Sequence, residues 1–256
     1  DPESDVFKLA ELIERDPSLA AQVMRYARSA LFAYRGELSS VKDAVNIVLG
    51  FDRVAQLAMG ISAAKAFNIP QEGLLGLTKF WQHALYNGVL SQALALLANP
   101  DLLIDDKQAY LSGLLHNFGY LVLAHIFPPH FKLMCRYIEA NRHLDTAYIE
   151  HFLLGITREQ IGGQLMSVWN MPEEVITALR HQKSPESAEE HQEFACLLQL
   201  THHLLSAEGL LPGGPQEIDE SLYETLNISK EKAQEALERL LDSQEDVAAI
   251  ASLMNR

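Results

Sequence analysis

Apolar residues recur at helical spacing along almost the whole chain, and no run alternates apolar and polar residues for long enough to predict a sheet. Asp16-Pro17-Ser18-Leu19 reads as a helix start, with a capping carboxylate and a first-turn proline ahead of Leu19, Ala20, Val23, Met24 and Ala27. Ser40 opens a second stripe of Val41, Ala44, Val45 and Val48, which Gly50 ends. Asp52 restarts the pattern at once, with Val54, Leu57, Ala58 and Ile61 on one face. The same spacing predicts helices over 78–97, 106–125, 129–141, 146–153, 157–169, 172–182 and 187–207. Thr157 with Gln160 three residues on is a capping-box pair, and Pro172 sits where a first-turn proline is tolerated.

The stretch 209–215 holds three glycines and two prolines and is the clearest break in the pattern. Beyond it, 229–241 and 243–254 read as two short amphipathic helices with charged outer faces. The expectation is an all-α chain: a compact helical bundle over 1–208, made of an N-terminal part at 1–66 and a larger part at 74–208. A linker and short helical C-terminal tail follow over 209–256.

Composition narrows the classes. A hydrophobic fraction of 48% and a charged fraction of 21% describe an ordinary globular protein. No apolar stretch spans a bilayer and no basic, apolar leader opens the sequence, so no membrane role is expected. Cys135 and Cys196 are the only cysteines, too few for a disulfide framework or a thiolate zinc cluster, and a reducing cytoplasm fits them best. A formal charge of -14 repels phosphate backbones and argues against direct nucleic-acid binding.

Chemistry concentrates in Gly113-Leu114-Leu115-His116-Asn117-Phe118-Gly119, where a histidine and an amide interrupt an apolar helix. Buried polar neighbours need partners, and such a pair by itself also suits a satisfied core hydrogen bond. Other polar residues stand around it in sequence: Phe80-Trp81-Gln82-His83 upstream, then Arg158, Trp169-Asn170-Met171-Pro172, His181-Gln182 and His202-His203 downstream. Trp81 and Trp169 read as core anchors, and His125, His130, His143, His151, His191 and His203 as surface or helix-end residues. No nucleophile elbow, Walker loop or dinucleotide glycine motif is present.

The order of these motifs resembles the HD superfamily of metal phosphohydrolases, and more specifically its HDOD branch. The resemblance runs from about residue 5 to 205. It rests on Asp16-Pro17-Ser18-Leu19, Arg28-Ser29-Ala30, the segment 44–50, Phe80-Trp81-Gln82-His83, the segment 113–119, Ile161-Gly162 and the segment 169–172. It implies a bacterial signal-transduction or regulatory module.

Residue by residue, the resemblance puts His83 at the first metal-ligand position, His116 at the histidine of the His-Asp pair and Asn117 at the metal-bridging aspartate. Arg158 stands where catalytic relatives keep another histidine, His181-Gln182 where two histidines are common, and His202 at the final aspartate. Arg28 replaces a frequent asparagine. A hard divalent ion that activates water wants anionic oxygen ligands, which Asn117 does not supply and Arg158 repels.

The expectation is therefore a vestigial site at His83, His116, Asn117, Arg158, His181 and His202, with no catalytic residue and no cofactor. Its partner would be a signalling protein or a small anionic ligand. The alternative is a phosphohydrolase acting on a nucleotide or cyclic dinucleotide through a divalent transition metal, with His83, His116, His181 and His202 in its site and a three-histidine set of His83, His116 and His202 as ligands. Arg158 itself is expected to donate into the cavity toward Asn117 or an anion, against the simpler reading of an exposed first-turn arginine.

Overall fold

The computed structural model describes residues 2–70 and 73–254, and it is helical throughout, with no strand among the described residues. It divides into two compact units, one formed by residues up to Ala66 together with those from Leu241 on, the other by Phe67–Leu240. The break at 209–215 is therefore not where the units part: residues 209–240 belong with the second unit and the last helix with the first.

In the first unit, α1 (Pro2–Glu14) and α2 (Pro17–Ala27) are followed by a short α3 (Val41–Asp43) that widens into a π-helical stretch (Ala44–Leu49) before α4 (Phe51–Ala64). Asp16 caps α2 as expected, accepting from the Ser18 and Leu19 amides at 3.0 and 3.1 Å. Ser40 and Asp43 form a capping box at α3. Gly50, at φ 78°, takes the left-handed turn between the π-helical stretch and α4 that a side chain would strain. The sequence pattern did not mark α1.

The second unit is built on α5 (Leu77–Leu97) and α6 (Asp106–Leu115), which pack against each other over most of their length. Small residues permit the approach: a Cβ at Gly113 would fall onto the Asn87 carbonyl, and one at Gly88 would meet the Tyr110 ring at 3.1 Å. The predicted helix over 106–125 is broken. After α6 the chain turns through His116-Asn117-Phe118 with i to i-3 hydrogen bonds, Phe118 N to Leu115 O and Tyr120 N to Asn117 O, both 3.0 Å. It resumes as α7 (Gly119–Ile126). The turn brings Gly119 onto the backbone of Arg158, where a Cβ would overlap the carbonyl.

Helices α8 (Pro128–Ala140) and α9 (Thr146–Leu154) form a hairpin over a core of Tyr120, Leu123, Phe131, Met134, Ile138 and Ile149. Then come α10 (Arg158–Val168), opened by the Thr157–Gln160 capping box, α11 (Glu173–His181) and α12 (Gln192–Ala207). Helix α12 starts five residues later than the pattern suggests, because Pro185–Ser187 forms a separate 3-10 turn and His191 takes a left-handed φ of 56°. Past Gly209 the chain packs back: Gly213 and Gly214 lie against the backbone of 142–144, and Gln216 hydrogen-bonds to Asp145. Helix α13 (Glu220–Leu226), which the sequence reading missed, is capped by Asp219 and leads to α14 (Lys230–Leu241). Helix α15 (Gln244–Leu253) belongs to the first unit, where the Leu253 carbonyl accepts from Gln22 at 3.0 Å. No helix among the described residues is long and apolar enough to cross a membrane.

The two glycines of α7 and α10 give a contrast. Gly119→Ala should destabilise the fold by about 3 kcal/mol, the upper range for overpacking, because backbone rather than a flexible side chain must yield. Gly162→Ala meets nothing closer than 3.5 Å and should be neutral or gain up to about 1 kcal/mol of helix propensity. Urea midpoints of the two variants check this; equal midpoints would refute the close approach of α7 to α10.

Candidate functional site

Five helices of the second unit bring the polar residues of the motifs inward. His83 comes from the middle of α5, His116 and Asn117 from the turn after α6, Arg158 from the first turn of α10, Gln182 from the end of α11 and His202 from α12. All six are buried.

Arg158 is the centre, with a side chain only 2% exposed. Its Nη1 donates to Thr146 Oγ1 at 2.7 Å, Tyr120 Oη at 3.0 Å and Glu150 Oε1 at 3.2 Å. Its Nη2 lies 3.1 Å from Glu159 Oε1 and 3.5 Å from His202 Nε2. The guanidinium also sits over the Tyr120 ring, 5.1 Å from its centroid. Its backbone amide donates to Glu150 Oε2 at 2.7 Å, and Tyr120 Oη donates to Glu150 Oε1 at 2.6 Å. A buried charge must be paired, and here one cation meets two buried carboxylates.

Arg158 thus turns inward, as expected from the sequence, and is not an exposed first-turn residue. Its partners correct that expectation: they are Glu150, Glu159, Tyr120, Thr146 and His202 rather than Asn117. Asn117 turns elsewhere, its Nδ2 3.5 Å from the Phe80 carbonyl and its Oδ1 buried without a partner. Glu150, Glu159, Tyr120 and Thr146 carried no motif signal. The one available cue was the i to i+4 spacing of Thr146 and Glu150, which puts two polar side chains on one face of an otherwise apolar helix.

The histidines arrange themselves around this cation in neutral form. Burial, then Lys79 and Arg158, push His83 down to about 3. Burial and Arg158 push His116 down to about 3 as well, and its Nδ1 is held 2.7 Å from the Gly113 carbonyl. His202, edge-on to His116 with centroids 5.9 Å apart, is driven well below its usual range by burial, Lys183 and Arg158. Glu150 moves the other way: burial and the neighbouring Glu159 raise it to about 7 against the pull of Arg158. Burial would depress Arg158, but Glu159, Tyr120 and Glu150 more than offset it and keep it a permanent cation.

His181 stands apart from the buried set. It is partly exposed and its Nδ1 lies 2.7 Å from Ser187 Oγ, while the adjacent Gln182 turns in and donates to the carbonyls of His116 at 3.3 Å and Leu179 at 2.9 Å. His203, read from sequence as a surface residue, is buried on α12. Trp81 is a core residue as expected, edge-on to Phe80 at 5.3 Å.

The donor set does not suit a divalent ion. Among the described residues no three His, Cys, Asp or Glu side chains stand together as metal ligands, so the three-histidine arrangement of His83, His116 and His202 is not formed. The two carboxylates that are present already pair with Arg158, so a divalent ion would have to compete with the guanidinium for them.

A helical domain, without strands among the described residues, that gathers these motif positions around a buried arginine defines an HD-like helical class. The HDOD domain model matches residues 1–185, and the chain belongs to that family. It is 43% identical to a candidate signal transduction protein from Marinobacter aquaeolei VT8, with a TM-score of 0.85, over 97% of this chain and 55% of that one. A candidate phosphohydrolase from Shewanella amazonensis SB2B shares the fold at 21% identity and a TM-score of 0.71, over 96% of this chain and 86% of that one. An uncharacterised protein from Treponema pallidum (strain Nichols) is 25% identical over 75% of this chain. The chain spans 36% of the Treponema protein and 55% of the Marinobacter one, so it matches part of each.

Two outcomes follow from the buried charges. Arg158→Ala should cost about 3–5 kcal/mol, the usual penalty for stranding buried partners. Adding Glu150→Gln should recover part of that loss, and a double variant no more stable than Arg158→Ala would refute the ion pairing. For pH, the histidines have folded values below the usual 6.5, so the stability they confer is present above 6.5 and lost as pH falls toward 3. Glu150 opposes this, since its raised value favours the fold below 4.5 and loses that contribution as pH rises through 7. Three groups against one give a net loss on acidification, each at most about 1.4 kcal/mol per pH unit. Urea midpoints should fall from pH 7 to 5, less steeply in His202→Asn and more steeply in Glu150→Gln; a flat profile would contradict the neutral histidines.

Proposed function

We propose that this chain is a non-catalytic regulatory module of bacterial signal transduction that works by binding a protein partner. The observation that carries the reading is the insertion of Arg158 among His83, His116 and His202, with its charge consumed by Glu150 and Glu159. A hydrolytic centre needs a Lewis acid and an activated water held by open anionic ligands. Here Glu150 accepts hydrogen bonds from Tyr120 and Arg158, Glu159 lies in ion-pair range of Arg158 though without a hydrogen bond of its own, and the three imidazoles are buried. The same engagement favours a protein partner over a small anion, because Arg158 already faces more negative charge than it carries. The description of the Marinobacter relative as a candidate signal transduction protein supports the regulatory role. A cytoplasmic setting accords with two cysteines that burial holds up at about 12 and 11 for Cys135 and Cys196, as inert thiols.

The rival is hydrolysis of a nucleotide or cyclic dinucleotide. Protein purified without chelator should turn over bis-p-nitrophenyl phosphate and cyclic di-GMP at the buffer rate in the presence of Mn2+, Mg2+ or Zn2+. Metal-dependent turnover that disappears in His116→Ala would overturn the regulatory reading.

A further inference from the structure

Most of the large apolar side chains that the second unit exposes among the described residues fall on one element, with Leu96, Leu103 and Val168 lying elsewhere. Ile126, Phe127, Leu133, Tyr137, Tyr148, Phe152 and Ile156 are all exposed and all belong to the α8–α9 hairpin or its two ends. Tyr148 and Phe152 are 64% and 71% exposed. Isolated exposed apolar residues need no explanation, but a contiguous set on one supersecondary element marks an interaction surface.

Helical spacing orders them into two ridges. Leu133 and Tyr137 lie four apart on the solvent side of α8, opposite the buried Phe131, Met134 and Ile138. Tyr148 and Phe152 lie four apart on the solvent side of α9, opposite the buried Thr146, Ile149 and Glu150. Two neighbouring helices with apolar ridges form a groove suited to the apolar face of a third helix.

Charge selects the occupant. The segment 128–143 carries Lys132, Arg136 and Arg142 against Glu139 as its one acid, in a chain whose formal net charge is -14. The one acid of α9, Glu150, is buried in the Arg158 cluster, so this helix adds no carboxylate to the face. An anionic bilayer would confront the acidic surface of the whole chain, whereas a single helix meets only this face, where the exposed Lys132 and Arg136 of α8 outnumber Glu139.

We propose that the outer face of the α8–α9 hairpin, formed by Leu133, Tyr137, Tyr148 and Phe152 with Lys132 and Arg136 at its rim, docks an amphipathic helix with acidic flanks from a protein partner. This rests on the regulatory reading above. The buried cluster keeps the platform fixed: Thr146 and Glu150 are tied to Arg158 on the inner side of α9, and Tyr148 and Phe152 face out from the same turns.

The test uses the full chain and a fluorescein-labelled amphipathic peptide of about 18 residues, roughly five helical turns, with Leu and Phe on one face and Glu on the other. A peptide with Lys replacing every Glu, and vesicles of phosphatidylglycerol with phosphatidylcholine, are the comparison probes. The Glu peptide should bind saturably, at least about tenfold tighter than the Lys peptide, and more weakly as salt rises. Tyr137→Ser with Phe152→Ser should weaken it at least about tenfold, while Leu96→Ser, an exposed apolar residue on α5, leaves it unchanged. Absence of saturable binding, equal binding of the two peptides, an unaffected double variant, or preference for the vesicles would each overturn the proposal. Phosphodiester turnover is followed on the same samples. Turnover would sink the regulatory reading, whereas loss of peptide discrimination without turnover sinks this surface alone.

Discussion

A permanently charged guanidinium in the interior is the constraint around which the second unit is arranged. Arg158 cannot shed its proton, so its burial is tolerable only with acceptors on several sides. Four helices meet that demand: α7 with Tyr120, α9 with Thr146 and Glu150, α10 with Glu159, and α12 with His202. An ion pair of this kind adds little net stability over apolar packing. Its members are nevertheless interdependent, because removing any one strands a charge or a polar group. The approach of Gly119 to the Arg158 backbone follows from the same arrangement, since α10 must come that close for its first residue to reach Tyr120 and Glu150.

The histidine chemistry is a consequence of this charge. His83, His116 and His202 sit in a dry interior beside a fixed cation, and both effects favour the neutral ring. Neutral imidazole is also the form that binds metals, so protonation state alone does not separate this site from a catalytic one. The disposition of the oxygen donors is the more telling feature. Glu150 receives hydrogen bonds from the Tyr120 hydroxyl, the Arg158 side chain and the Arg158 amide, and Asn117 brings no charge at all.

Periodicity made most of the helices legible from the sequence, because amphipathic stripes and caps such as Asp16, Ser40 and Thr157 are local signals. The break at His116 was hidden, since the apolar pattern runs on through α7 and only the tertiary approach of α10 makes the turn necessary. The site was half legible. His83, His116, Asn117, Arg158 and His202 stood in motif positions, and the structure buries all five. Their partners did not, because Glu150 and Glu159 look like ordinary helix-surface acids until Arg158 is known to be inside. His181 illustrates the opposite limit: adjacency to Gln182 placed it in the motif, but on a helix end one residue can face inward while its neighbour meets solvent.

Helix α9 joins these two levels of organisation in nine residues. Its polar side chains, Thr146 and Glu150, are spent inside on Arg158, and its aromatic ones, Tyr148 and Phe152, remain outside. This inverts the usual amphipathic pattern, in which a surface helix buries its apolar stripe and exposes its charges. Ile149 is its one fully buried apolar side chain, with Leu153 and Leu154 packed partly against the same core, so α9 is held by the ion-pair network together with apolar contact. A helix held this way can carry aromatic side chains on its outer face without being drawn inward to bury them. The buried contacts to Arg158 and the exposed aromatic ridge are thus two sides of one short helix.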